Sequence, residues 1–214
     1  MFLSCLELDY RSPSVRQCIK NCQDMHRTIM KAMPNYECSN AREQDSVLYR
    51  IISKQNKTFI YVLCKDKPDW QRISGQGFKF EQPKDVSGLN KVFVPGACFT
   101  FDLVACTAKK QSVPEGNSKR VFLKNDEERI NWLNRKAEQN GFKVGWVREE
   151  GTIKEFGVHT DDRGSEMWHM GVRFRGELII TDKDAFLKAF TGGIGPGKAY
   201  GFGMLMLFKA NLPN

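Results

Sequence analysis

Acid–base chemistry at neutral pH needs a side chain that exchanges a proton there, and histidine is the residue whose ordinary pKa falls in that range. The chain has three: His26, His159 and His169. His26 is followed directly by Arg27, with Lys31 one helical turn further on and Gln23 one turn before. An imidazole flanked by two cations at the rim of a groove suits a general acid or base acting on an anionic group, with Arg27 and Lys31 steadying developing negative charge. The same spacing also suits a histidine at the edge of a core, and the residues alone leave both open. Gln23 can hydrogen-bond a phosphate or hold the imidazole but transfers protons poorly.

Other groupings carry less. Asp161, Asp162 and Glu166 fall in HTDDRGSE, a segment that reads as a hairpin tip, where carboxylates are ordinarily solvated turn residues. His159 and His169 lie on the two arms of that hairpin and are expected to pair across it or take surface roles; two histidines without a third ligand make a poor metal site. Cys18 and Cys22 are a turn apart, but the second pair that a zinc site needs is absent, so no metal and no cofactor is expected. No GxSxG, HExxH, Walker or kinase signature occurs. The glycine-rich GGIGPGKAYGFGMLML, Gly192 to Leu207, follows a helical pattern and leads into an apolar strand, the reverse of a P-loop's order.

The elements that must position these groups are legible from periodicity. Phe2 to Leu8 is an apolar opening strand. Ser12-Pro13 opens a helix expected over Val15–Met33, with Val15, Cys18, Ile19, Cys22, Met25, Ile29 and Met33 on one face and His26 toward its edge. SVLYRIIS and TFIYVLCK form a hairpin around a polar turn. The stretch 66–95 is broken by prolines and glycines, and CFTFDLVACTA is expected as the strand closing the first half, followed by a solvated basic linker at Lys109 and Lys110. The second half repeats the order. A strand over 119–123 precedes a helix running from Asn125 to Gln139 and stopped by Asn140-Gly141. A long hairpin over 142–158 and 167–180, a helix over 184–190 and a last strand over 204–209 complete it. The expected fold class is α+β: tandem ferredoxin-like (RRM-like) domains with antiparallel sheets, β-α-β-β-α-β each, an N-terminal one over 1–112 carrying the candidate catalytic helix and a C-terminal one over 113–214 carrying the glycine-rich loop.

Composition narrows the partners. With 27% charged and 41% hydrophobic residues, the chain has the balance of a globular protein. No apolar run approaches the roughly 20 residues that span a bilayer, so no membrane partner is expected. The opening segment is too short and too acidic for a signal peptide. Seven cysteines without a CxxC pair suit free thiols, which points to a cytoplasmic location. An excess of 33 basic over 25 acidic residues, net charge +8, suits a polyanion. The expected RNA-binding residues are Lys109, Lys110, Lys119, Arg120, Lys124, Arg148, Arg163 and Lys198. The stacking aromatics of an RNP1 motif are missing from both halves, so phosphate and shape contacts to a hairpin RNA are expected to dominate.

GGIGPGKAYGFGMLML, the preceding VRFRGELIITDKDAFLKAF and the segment KRVFLKNDEERINWLNRKAEQNGF together resemble the CasE family, the CRISPR repeat endoribonucleases of type I-E systems; the match is dense over residues 119 to 209 and thinner before. The resemblance implies a protein that binds the repeat stem-loop and cuts at the 3′ base of the stem without metal. In that chemistry a ribose 2′-OH attacks the adjacent phosphate, leaving a 2′,3′-cyclic phosphate and a 5′-OH, and the protein stays on the guide RNA beside the other Cascade subunits. It implies His26 as the catalytic histidine, with Gln23, Arg27 and Lys31 in support. Where the family often carries a tyrosine this chain has Gln23, so Tyr200 is a further group that could enter. Asp102 stands where a basic residue is expected. The rival expectation is a catalytically weak or inactive subunit that only binds the guide-RNA stem.

Overall fold

The computed structural model describes residues 1–34, 46–112, 118–158 and 166–209. The first strand, β1 (Phe2–Leu8), buries Ser4, Leu6 and Leu8 on one side, as a period of two requires. The expected single helix is two: α1 (Pro13–Lys20) and α2 (Cys22–Lys31). The interruption is at Asn21, whose backbone leaves the helical region at φ −135°, ψ 105°, and whose side-chain oxygen accepts the Gln23 N–H as the N-cap of α2. The same oxygen accepts the N–H of Val158 at 3.2 Å, a partner 137 residues away, so the break is fixed from outside the helix. The expected face is nonetheless correct: Val15, Cys18, Met25, Ile29 and Met33 are buried in one cluster, with Ile19 packed partly against it, and Cys22 is buried as well.

The hairpin β2 (Leu48–Lys54) and β3 (Lys57–Cys64) turns at Gln55 and Asn56, both at positive φ. Two short strands follow, β4 (Phe78–Phe80) and β5 (Lys84–Asp85), with 3-10 turns at Trp70–Ile73 and Ser87–Lys91. The first sheet runs β2-β3-β1-β4, antiparallel throughout, with β5 also on β1. Its closing strand is therefore β4. The strand expected in that role, β6 (Cys98–Ala105), instead lies in the second sheet, because its partners are the second half's long hairpin and last strand.

The basic segment expected as a linker is extended: β7 (Ala108–Ser112) pairs with β8 (Ser118–Phe122) in a separate two-stranded ribbon, so β8 does not open the second sheet. Then come α3 (Asp126–Gln139), β9 (Phe142–Val158), β10 (Glu166–Ile180), α4 (Lys183–Gly192) and β11 (Leu205–Lys209). Asn125 caps α3 by accepting the N–H groups of Glu127 and Glu128, and three acidic residues in its first turn complement the helix dipole. The second sheet runs β11-β6-β10-β9. Both sheets thus have the ferredoxin-like order 4-1-3-2, with a 3-10 turn in place of the first unit's second helix.

The two units are sewn together. Leu48 and Leu63 of the first sheet are buried in the second unit's core beside Leu103, Phe174 and Leu205. A polar knot joins them as well: Asp102 of β6, 3% exposed, accepts from Arg50 of β2 at 3.1 Å and from Arg173 and Arg175 of β10. Burial works to raise the Asp102 carboxyl, but the Arg173 hydrogen bond and the Arg50 charge outweigh it and hold it below the usual carboxylate range. The acidic residue that stands where the sequence suggested a lost basic contact is the anchor of three arginines.

Candidate active site

Helix α2 presents His26 at the junction between the two units, half-buried. Facing it is Tyr200, carried on a 3-10 turn, Lys198–Tyr200, inside the glycine-rich loop. The ring centroids are 6.3 Å apart and the rings meet edge to face, at 70°. The turn needs glycine on both flanks: Gly197 and Gly201 have φ of 77° and 85°, in the left-handed region that side chains other than glycine rarely adopt. Gly201 also lies against Tyr49 of β2, which would sit 3.1 Å from an added Cβ. The loop is therefore packed against the neighbouring unit, and Lys198 stands half-buried at the start of the same turn.

His169 of β10 is stacked on Tyr200, with ring centroids 4.4 Å apart and planes at 22°. Its Nε2 is 3.2 Å from the Met167 sulfur, and its ring is 6.4 Å from Phe202. Across the hairpin its register partner is Glu155, and its half-buried ring corrects the expectation of a surface role; the expected partner His159 lies outside the described residues. Burial pushes the Glu155 carboxyl up to about 7, with the Arg50 charge pulling the other way. Tyr49, fully enclosed nearby, is held well above the usual phenol range by burial, and Cys22 is pushed up to about 11 by burial and then by the Glu155 charge. This corner is thus a row of rings, His26, Tyr200 and His169, backed by a carboxyl poised to change charge near neutrality.

The supporting residues named from sequence divide. Arg27 pairs with Asp24 at 3.1 Å, and Lys31 is exposed a turn beyond it on the same helix. Gln23 has its side-chain oxygen buried without a hydrogen-bond partner among the described residues. Of the expected RNA-binding residues, Lys109, Lys110 and Arg120 come together on the β7–β8 ribbon, where Lys110 pairs with Arg120 in register, and the backbone of Lys119 pairs with Gln111. Lys109 also reaches Glu128 at 3.1 Å. Lys124 is exposed at the foot of that ribbon. Arg148 is on β9, paired with Glu150, opposite Arg175. Arg163 lies outside the described residues. Among those described, no three of His, Cys, Asp and Glu are grouped so as to hold a metal ion, and no helix is long and apolar enough to cross a membrane.

Two features escaped the sequence. The His26–Tyr200–His169 row unites residues from opposite halves of the chain, and only the hairpin pattern hinted that His169 has a fixed cross-strand neighbour. The Asp102 knot had no local signal, since its three arginines come from β2 and β10.

Residues 1–209 match the family model described as CRISPR associated protein. The CRISPR-associated endoribonuclease Cse3 of Thermus thermophilus is 29% identical over 218 residues, covering 96% of this chain and 98% of that protein. A structure of Thermus thermophilus Cse3 bound to an RNA representing a pre-cleavage complex superposes with a TM-score of 0.79 at 28% identity, over 97% of this chain and 98% of that one. A chain of a CRISPR RNA-guided surveillance complex, captured pre-nicking, superposes at 0.74 with 25% identity, covering 98% of this chain and all of the other.

Proposed function

The chain belongs to the family of CRISPR-associated proteins, and we propose that it is a metal-independent endoribonuclease that binds a CRISPR repeat stem-loop and cuts at the 3′ base of the stem. The observation that carries this assignment is the placement of His26. It is half-buried between two ferredoxin-like units, edge-on to Tyr200, on a helix that also bears Arg27 and Lys31. The relative is named an endoribonuclease and has been captured with RNA, which supports the same reaction here.

The chemistry forms one bond and breaks one. The 2′-oxygen attacks the adjacent phosphorus as it loses its proton, and the 5′-oxygen departs as it gains one, leaving a 2′,3′-cyclic phosphate and a 5′-OH. His26 takes part in proton transfer as acid or base. Arg27 and Lys31 supply positive charge near the phosphorane, where preorganised cations act most strongly on the transition state. Tyr200 holds the imidazole from the opposite unit, itself held by the His169 stack. Lys109, Lys110, Lys119, Arg120 and Lys124 meet the RNA phosphates along the ribbon, with Arg148, Arg163 and Lys198 as further contacts. The protein keeps its product and remains on the guide RNA as a subunit of a Cascade-type complex in the cytoplasm. The likeness to a chain of a surveillance complex supports that partnership. We place the division between the two units within 86–97, ahead of β6, rather than near residue 112.

Gln23 favours a second reading. Its buried oxygen, unpartnered among the described residues, lies a turn before His26 and supplies no proton. A subunit that grips the stem while cutting slowly or not at all fits that residue. Incubation of the cognate hairpin in EDTA with wild type and with His26→Ala separates the two. Cutting by wild type alone supports the endoribonuclease, and RNA left intact by both supports the binding subunit.

A further inference from the structure

Strands β9 and β10 outrun the sheet that contains them. Pairing with β6 covers Val172 to Ile179 of β10, while pairing with β9 continues to Glu166. Residues 153–158 and 166–171 therefore project as a two-stranded ribbon. One face of it packs on the catalytic helix: Gly157 leaves so little room that an added Cβ would be 2.8 Å from the Cys22 sulfur. The opposite face carries Phe156 and Trp168, direct register partners with ring centroids 4.8 Å apart, together with Lys154. Trp168 is 63% exposed. A single exposed apolar residue needs no explanation, but two rings locked together at the mouth of a basic groove do.

That groove is open, about 430 Å³, and is bounded by Phe156 and by Pro13, Arg16, Gln17, Lys20, Asn21 and Asp24 from α1 and the start of α2. Its two cations stand on its lip, both exposed. Arg16 is held there by donating to the carbonyls of Tyr10 and Arg11. The carboxylate in the groove, Asp24, is engaged by Gln17, Asn21 and Arg27. Aromatic faces beside cations are the combination that holds a single-stranded nucleotide, the ring stacking on the base and the cation meeting its phosphate. The groove shares Asn21 with α2, and His26 lies five residues further along that helix, about 7.5 Å at roughly 1.5 Å per residue. That is about two stacked nucleotides at roughly 3.4 Å each.

We propose that Phe156 and Trp168 form a stacking platform for one unpaired nucleobase of the RNA strand that is cut, next to the stem, with Arg16 and Lys20 on its phosphate. The proposal rests on the assignment of His26 as the reacting centre and adds a subsite to it. It is tested with the repeat hairpin made uncleavable by a 2′-deoxy sugar at the scissile position, each unpaired nucleotide beside the stem being replaced in turn by an abasic one. One position costs wild type about 5- to 150-fold in affinity, the range for one base on an aromatic ring. Trp168→Ala costs a similar factor, and the two together cost no more than either alone. Trp168→Phe, which keeps a π face, retains most of the affinity. Because the side chain is exposed, an unchanged circular dichroism spectrum is expected for both variants. Losses that multiply at every position, or a Trp168→Ala protein that binds within twofold of wild type, overturn the platform. So does a variant that binds RNA normally but drops out of the guide-RNA complex, which would make this face a protein contact. Wild type that binds and cuts with an indifferent Trp168→Ala overturns this proposal alone, whereas wild type that does not bind the hairpin overturns the endoribonuclease assignment with it.

Discussion

Replacing Glu155 with glutamine isolates a carboxyl at the candidate site whose charge changes near neutral pH. Burial raises it from an ordinary 4.5 to about 7 in the fold, against the opposing charge of Arg50. Facing it are His169 across the hairpin, Tyr49 and Arg50 from β2 and Cys22 from α2. A carboxyl whose folded pKa is raised binds more protons folded than unfolded between those two values. Its contribution to stability is therefore greatest below about pH 4.5 and is lost as pH rises toward 7. The difference between 4.5 and about 7 corresponds to a ceiling of about 3.4 kcal/mol. With part of the group open to solvent, about 1 to about 2 kcal/mol is expected in practice. Urea unfolding of wild type and Glu155→Gln from pH 4.5 to 8 reads it as the difference between the two proteins, which removes every other titrating group from the comparison. Glu155→Gln should gain on wild type steadily up to about pH 7 and then hold a constant lead. A difference that stays flat across that range, or one that grows in favour of wild type, refutes the placement of this carboxyl in a poorly solvated corner.

Two further substitutions test how the units are held. Asp102→Ala leaves Arg50 buried beside Arg173 and Arg175 with their shared carboxylate gone. It should cost about 3 to about 5 kcal/mol of unfolding free energy, the range for stripping one partner from a buried ion pair, and a loss under about 1 kcal/mol in urea denaturation counts against the knot. Gly201→Ala forces a methyl into the left-handed region and against Tyr49. That conformation should cost about 1 to about 2 kcal/mol of stability. Because it displaces Tyr200, the change should also slow cleavage more than it weakens RNA binding. Equal cleavage rates in the two proteins under single-turnover conditions would separate Tyr200 from the reaction.

Most of the elements could be read from the chain because their signals are local. Asn125 ahead of three acidic residues and Asn140-Gly141 after Gln139 bounded α3, and the polar HTDDRGSE stretch separated the arms of the β9–β10 hairpin to within a residue. What went astray depended on pairing. CFTFDLVACTA reads the same whichever sheet takes it, and only its register against β10 and β11 puts it in the second. The strand that closes the first sheet, Phe78–Phe80, is three residues long and too short to show a period. The break at Asn21 had a capping residue to announce it, but within a helical wheel that suited one continuous helix, and what holds it open is Val158 from the other half of the chain. The site divides in the same way. His26 and its cations were visible as neighbours on one helix, whereas Tyr200, His169 and Glu155 become neighbours only when the glycine loop and the long hairpin fold against α2.

The measurement closest to the centre of the account is the single-turnover cleavage rate of His26→Ala on the repeat hairpin in EDTA, taken beside its affinity for the same RNA. His26 is half-buried on the surface of α2 and its ring meets Tyr200 edge to face, and the variant should fold and bind RNA within a few fold of wild type. Loss of a general acid or base should lower its cleavage about 100- to 10,000-fold. Cleavage retained at the wild-type rate, or lost only in step with binding, would contradict the assignment of the chemistry to His26.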